Sequence, residues 1–372
     1  MVNKTLLYLF FLLAGSYPYL QVSAGTPACE KSTQKLLSSG YQYKSDLLLV
    51  SDDGQHLAAF VVFYTLEKVK GSFYSMSNMT MKLFRYRREG DNYVLLSERG
   101  SCEKYFDFEH HRAVMDKDQN IYFYYRRGNS FSYWPNDNQL KIKNYPVSGV
   151  NLEDTNLAID RQTGLIYATH NKDTKYIVRQ TKPGDFTFEE WLRFDELFAP
   201  GKMWNPLRLG FSKGQLWASM VIFNEGDNFS QLYEYWVFDT KATLLEKQTA
   251  VNAYTSFYPG SPATGLRLDF VRKRSGGDGP GPKDMSLRYV NTATGDKTSI
   301  IRISQEKSDL SLSSTNFSDN ATLFSIYNLY KYEDKAMLRL VTYHPDSGKS
   351  KFLLPLLSTK PAAPHKNKRK YK

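Results

Sequence analysis

The sequence predicts an all-β chain assembled from repeated four-stranded antiparallel sheets, and three observations carry the prediction. The 372 residues include 27 Tyr and 23 Phe, and aromatic side chains favour the half-buried surface of a sheet. Runs of helical period are scarce, "CEKSTQKLLSSG" near residues 29–40 being the one plausible short helix. One strand–turn–strand pattern also recurs along the chain, and a second hairpin follows it each time.

The pattern is clearest in "LAIDRQTGLIYATH", residues 157–170. Leu157 and Ile159 alternate with other residues before a bend at Asp160, Thr163 and Gly164, and Leu165 and Tyr167 resume the alternation. Asp, Asn and Gly supply the side-chain-to-backbone bonds and positive φ that tight bends require. The same unit recurs around Asp52–Gly54, Asp116–Asn120, Lys213-Gly214 and Asp319–Asn320. Second hairpins begin at Leu83, Tyr176, Tyr233, Leu287 and Leu338, with a weaker one at Leu140. Two hairpins in series make a four-stranded sheet, and one sheet alone cannot bury both faces. Six arranged radially can, because each packs on its neighbours. The predicted fold is therefore a six-bladed β-propeller of four-stranded antiparallel blades over residues 42–358. A decorated β-sandwich is the alternative, but it does not call for six similar hairpin pairs. The fifth unit carries a Gly/Pro-rich insert from Ser275 to Lys283.

The ends predict the compartment. Lys4 precedes "TLLYLFFLLAG", and Val22, Ser23 and Ala24 offer small residues for cleavage. Residues 1–24 are read as a signal peptide, 25–41 as an N-terminal segment and 359–372 as a disordered basic tail. The apolar run is too short to span a bilayer, and no membrane span is expected. In an oxidising compartment Cys29 and Cys102, the two cysteines, are expected to be bonded. Closing that loop stabilises a fold by roughly 4 kcal/mol in the chain-entropy description. Asn78, Asn228, Asn316 and Asn320 begin glycosylation sequons and are expected at surface turns, with Asn316 and Asn320 so close that only one of them is expected to carry sugar.

Lys and Arg number 49 against 38 Asp and Glu, a formal charge of +11. Much of the excess sits in the tail, where Lys360, Lys366, Lys368, Arg369, Lys370 and Lys372 stand without an acid. Such a segment cannot bury enough apolar area to fold. It is either a solubilising end or an anchor for sulfated glycans and other acidic surfaces; nucleic acid is not an expected partner of a secreted chain.

Catalytic motifs are missing: there is no H-E-x-x-H, G-x-S-x-G, P-loop or dinucleotide fingerprint. No enzyme activity, cofactor or metal is predicted. Two binding regions remain. Glu109, His110, Glu153, Asp154, Asn156 and Asn205 fall where the chain enters innermost strands, at the mouth of a propeller channel. Their carboxylates and amides could hold an amine, or Asp154 and Asn156 could cap their own turn. In "FYYRRGNSFSYW", residues 123–134, Arg126, Arg127, Phe131, Tyr133 and Trp134 either form an exposed protein-binding surface or belong to a long hairpin with its aromatics folded inward.

"LAIDRQTGLIYA", with the similar units before Leu216 and Leu323, resembles the blade motif of the insect yellow and major royal jelly family. That resemblance implies a secreted six-bladed propeller, with amine binding in the channel as in blood-feeding relatives. The chain departs from that family in having one cysteine pair where two are usual. Over its full length it is more similar to the basic salivary proteins of culicine mosquitoes, in its leader, Tyr/Phe-rich strands, basic balance and lysine-rich end. This implies a non-enzymatic salivary protein whose partners are host proteins or proteins of the mouthpart cuticle; the chain is expected to be a monomer.

Overall fold

The computed structural model describes residues 28–68, 74–101, 112–125, 128–152, 155–170, 176–193, 197, 202–224, 231–249, 255–258, 266–272, 285–291, 297–302, 310–318, 322–329, 336–344 and 347–357. They form a β-propeller of four-stranded antiparallel blades, with six such sheets among them. Sheet 1 holds β1 (Gln42–Val50), β2 (His56–Lys68), β3 (Tyr74–Glu89) and β4 (Asn92–Ser101). Sheet 2 holds β5 (Arg112–Met115), β6 (Ile121–Tyr125), β7 (Ser130–Trp134) and β8 (Lys143–Pro146). Sheet 3 follows with β9 (Leu157–Asp160), β10 (Leu165–His170), β11 (Tyr176–Lys182) and β12 (Asp185–Arg193). β13 (Lys202–Ser212), β14 (Gln215–Asn224), β15 (Gln231–Asp239) and β16 (Leu244–Thr249) make sheet 4. Sheet 5 is β17 (Thr255–Tyr258), β18 (Leu266–Arg272), β19 (Met285–Asn291) and β20 (Lys297–Arg302), and sheet 6 is β21 (Leu310–Phe317), β22 (Leu323–Leu329), β23 (Met337–His344) and β24 (Gly348–Pro355).

Every sheet is a simple meander in chain order. First strands lie innermost: β1 contacts β5 and β21, β5 contacts β9, and β9 contacts β13. Outermost strands β4 and β24 also meet, so sheet 6 packs on sheet 1 along its depth.

The recurrent bends join the innermost strand of a blade to the next one, and turn chemistry shapes them. Asp160 accepts from Gln162 N at 3.0 Å and from Thr163 Oγ1 at 2.6 Å, and Gly164 closes the bend at φ +79. Asp116 accepts from Asn120 N at 2.8 Å, and Asp53 from Gln55 N at 2.9 Å. Lys213 and Gly214 both have positive φ, as a two-residue hairpin of matching twist demands. These bends define one face of the propeller, called the turn face below; the opposite one is the mouth face.

Because neighbours cover both faces of a blade, both sets of alternating side chains are apolar. In sheet 2, Phe123 and Trp134 pack with Phe60, Met81 and Leu83 of sheet 1, whereas Tyr124 and Phe131 pack with Ile159, Phe186 and Phe188 of sheet 3. This corrects the exposed-surface reading of Phe131 and Trp134: both are fully buried. The second hairpin of sheet 2 is also relocated. It pairs Ser130–Trp134 with Lys143–Pro146, and Leu140 lies in the loop between them, exposed. The aromatic run is thus the inward-folded hairpin.

The expected helix forms as α1 (Thr33–Ser38), with Ser32 as its N-cap. Leu36 is buried in the core shared by sheets 1 and 6. Glu98 of β4 accepts from Thr33 N at 3.3 Å and from Thr33 Oγ1, and pairs with Lys82 at 3.1 Å. Cys29, just before the helix, is disulfide-bonded. No helix among the described residues is long and apolar enough to cross a membrane.

Candidate interaction surface

On the turn face, two arginines tie the first three sheets together. Arg161 follows the capping Asp160 and reaches out of sheet 3. Its Nε donates to Met115 O of sheet 2 at 3.0 Å, and Nη2 to Val50 O of sheet 1 at 2.6 Å. Nη1 bonds the Asp52 carboxylate. Arg85 of β3 donates to Gln119 O at 2.6 Å and to Trp134 O and Pro135 O at 3.3 Å each. Burial lowers the Arg85 pKa to about 10, and the like charge of Arg99 acts in the same direction.

An aromatic surface stands over this frame. Tyr122 and Tyr133 are direct cross-strand partners, with ring centroids 5.3 Å apart. Tyr145 stacks on Phe186 of sheet 3 at 4.7 Å, and Tyr122 lies 6.0 Å from the same ring. All three tyrosines are half-buried: the rings are seated in the groove between sheets 2 and 3 while part of each faces solvent. Asp116 sits at the end of the row, accepting from Asn120 Nδ2 at 3.0 Å and from Tyr122 Oη at 3.4 Å. Burial raises the Asp116 pKa and the Asn120 bonds pull it back. Burial, and then the Asp116 charge, push both Tyr122 and Tyr133 upward. At neutral pH the hydroxyls are therefore uncharged. The ensemble is an aromatic face with hydrogen-bonded polar atoms at its end. Half-exposed aromatics of this kind are enriched at contact surfaces.

No protein-family profile matches the chain, and no curated protein sequence matches it. Solved structures do. A virginiamycin B lyase from Staphylococcus aureus aligns over 85% of this chain and 89% of its own at 9% identity, with a TM-score of 0.43. A putative TolB from Agrobacterium tumefaciens aligns over 66% and 81% at 11% identity and a TM-score of 0.41. Hsv2 of Kluyvelomyces marxianus aligns over 82% and 75% at 11% identity and a TM-score of 0.38. At these values neither sequence nor superposition ties the chain to what any of them does.

Two residues of the predicted channel mouth, Asn156 and Asn205, lie among the described residues. Asn156 stands immediately before β9, its N–H donating to Thr169 Oγ1 at 2.8 Å. Asn205 lies in the innermost strand of the next sheet, opposite Val221. Glu109, His110, Glu153 and Asp154 lie outside the described residues, as do Arg126, Arg127, Cys102, Asn228, Asn320, the insert 275–283 and the tail with Lys366, Lys368, Arg369, Lys370 and Lys372. Of the predicted partner surface, Tyr133 is half-exposed where Phe131 and Trp134 are core. Asn316 is in strand β21 rather than at a turn, and Asn78 is exposed within β3. Glu189 and Glu190 are exposed on the outermost strand β12 and pair with Arg179 and Arg193 at 2.8 and 2.7 Å, as a solvated blade edge should. Among the described residues no three His, Cys, Asp or Glu side chains form a metal-binding group. Sequence reasoning missed Tyr145, Phe186, Arg85 and Arg161 as members of this surface. The available signal was the Tyr122–Tyr133 spacing, which puts both rings on one face once the intervening residues are read as a hairpin.

Proposed function

We propose that this is a secreted, non-enzymatic salivary binding protein that works through protein contacts on the turn face of a closed six-bladed ring. The observation that carries the reading is the row of half-exposed tyrosines, Tyr122, Tyr133 and Tyr145, over a frame tied by Arg85 and Arg161. Tyrosines of this kind are enriched at interface hot spots, and a preorganised surface loses little entropy on binding. Ring closure is supported by the packing of sheet 6 on sheet 1. The Cys29–Cys102 bond is supported by a bonded Cys29 in a chain with two cysteines; it joins the N-terminal segment to sheet 1. The leader supports secretion, and the resemblance to culicine salivary proteins supports a host protein or a cuticular protein of the mouthparts as partner. The tail adds attachment to sulfated glycans.

The test is capture of host plasma and mouthpart proteins on immobilised mature protein, followed by affinity measurement with the purified partner. Tyr122→Ala and Tyr133→Ala should each weaken binding by about 1–2 kcal/mol, roughly 5- to 30-fold. Unchanged affinity in both variants removes the turn face from the interaction. Calorimetry with serotonin, histamine and noradrenaline separates the other class: tight amine binding insensitive to the tyrosines makes the channel the working site.

A further inference from the structure

Sheet 1 has a feature that its blade does not need. β1 pairs with β2 from Leu57 to Tyr64, and β4 pairs with β3 from Met81 to Glu89. β2 and β3 continue past them, so residues 65–68 and 74–77 form a two-stranded ribbon projecting on the mouth face. Leu66 and Met76 are direct partners on it, and with Met79 they are 42–44% exposed. The register slips between Phe63 and Thr65. At this irregularity Asn78 is exposed, with φ +49, a left-handed conformation that a non-glycine residue rarely adopts.

Asn78-Met79-Thr80 is a sequon, and Thr80 supplies a second, independent observation. Its side chain is 4% exposed and its hydroxyl is buried without a hydrogen-bond partner. A buried hydroxyl left unpaired costs about 1–3 kcal/mol, and valine has the same shape without that cost. The fold gives the hydroxyl no duty; recognition of the sequon does. Asn316 is the opposite case. It lies within innermost strand β21, paired with Phe324, and the hydroxyl of its sequon serine, Ser318, has a duty in the fold, donating to Thr322 O at 3.5 Å.

We propose that Asn78 carries an N-linked glycan that leaves the ribbon on the face of Thr65 and Ser77, and that Asn316 carries none. The proposal rests on the secretory reading above. Nδ2 of Asn78 attacks the anomeric carbon of a lipid-diphosphate-linked oligosaccharide. The C1–N bond forms as the C1–O bond breaks, the lipid diphosphate leaves with the electron pair, and one amide proton passes to a base of the transferase. Transfer precedes folding, since Thr80 is buried afterwards. The remaining amide N–H still donates to Thr65 Oγ1, which lies 3.0 Å from Nδ2, and this bond fixes the direction in which the glycan leaves the ribbon.

The experiment secretes the full chain from insect cells with its own leader, as wild type, Asn78→Gln, Thr80→Val, Thr80→Ser and Asn316→Gln. Enzymatic glycan release followed by peptide mass spectrometry reads the deamidation left at position 78 or 316. Wild type, Thr80→Ser and Asn316→Gln should carry the mark at 78 and none at 316. Asn78→Gln and Thr80→Val should each lose one glycan, and deglycosylated Thr80→Val should melt no lower than deglycosylated wild type. Secreted protein without the mark at 78, or with one at 316, overturns the assignment while leaving secretion intact. Protein retained in the cell and unglycosylated overturns the secretory reading, and this assignment with it.

Discussion

Arg161→Ala tests whether the turn face is held by a single guanidinium. The side chain donates to two carbonyls, Met115 O at 3.0 Å and Val50 O at 2.6 Å, and pairs with Asp52. A bond from a charged donor contributes about 1.5–3 kcal/mol. Arg161 retains 18% of its exposure, so water re-solvates part of what is lost and the lower figure applies to each carbonyl, about 3 kcal/mol for the two. Asp52 is 47% exposed, so its pair adds less than about 1 kcal/mol. The variant should lose about 3–4 kcal/mol in urea unfolding, and its Tm should fall by roughly 6–8 °C at about 2 °C per kcal/mol for a chain of this size. Asp52→Asn should lose under about 1 kcal/mol, because both carbonyl bonds survive. High salt should leave the Arg161→Ala deficit nearly intact, since those bonds are not screened as the ion pair is. A deficit in Arg161→Ala no larger than in Asp52→Asn refutes the reasoning: the ion pair would then be the whole contact.

Phe131→Ala, a fully buried site, should cost about 3–5 kcal/mol, while half-buried Tyr133→Ala costs about 1–2 kcal/mol; equal losses in chemical denaturation would put both rings in one environment. Tyr93 donates to Gly54 O at 2.7 Å, and burial raises its pKa from 10.0 to about 12. Because the folded value lies above the unfolded one, the stabilisation is complete below pH 10 and is lost as pH rises through about 12. Tyr93→Phe should flatten that part of the alkaline unfolding curve and cost about 1 kcal/mol at neutral pH; an unchanged curve assigns the alkaline transition to other groups. A chain ending at Ser358 should keep its Tm but elute from heparin at lower salt, and co-elution with the full chain makes the basic run Arg272, Lys273 and Arg274 the better anchor.

Local chemistry is what a sequence displays directly. Asp160, Thr163 and Gly164 hydrogen-bond within their own bend, so the bend is visible without the fold, and so are the hairpins in series and the short helix near residues 29–40. The period of two is equally visible, but it says only that Phe131 and Tyr133 share a face. It does not say whether a neighbour covers that face. In a propeller each blade is covered on both sides, and depth along the strand decides exposure. Phe131 lies toward the middle of the stack and is buried, whereas Tyr133, two residues nearer the turn face, stays half-open.

The sequence alone determined the class of strands, their hairpin pairing in most sheets, and the turns between them, because each depends on residues a few positions apart. Only the tertiary structure decided which aromatics form a surface and what holds it. Arg161 meets Met115 and Val50 across 46 and 111 positions, and Tyr145 meets Phe186 across two different sheets. Nothing local marks such partners, since a guanidinium bonds whichever carbonyl the packing of the blades presents to it.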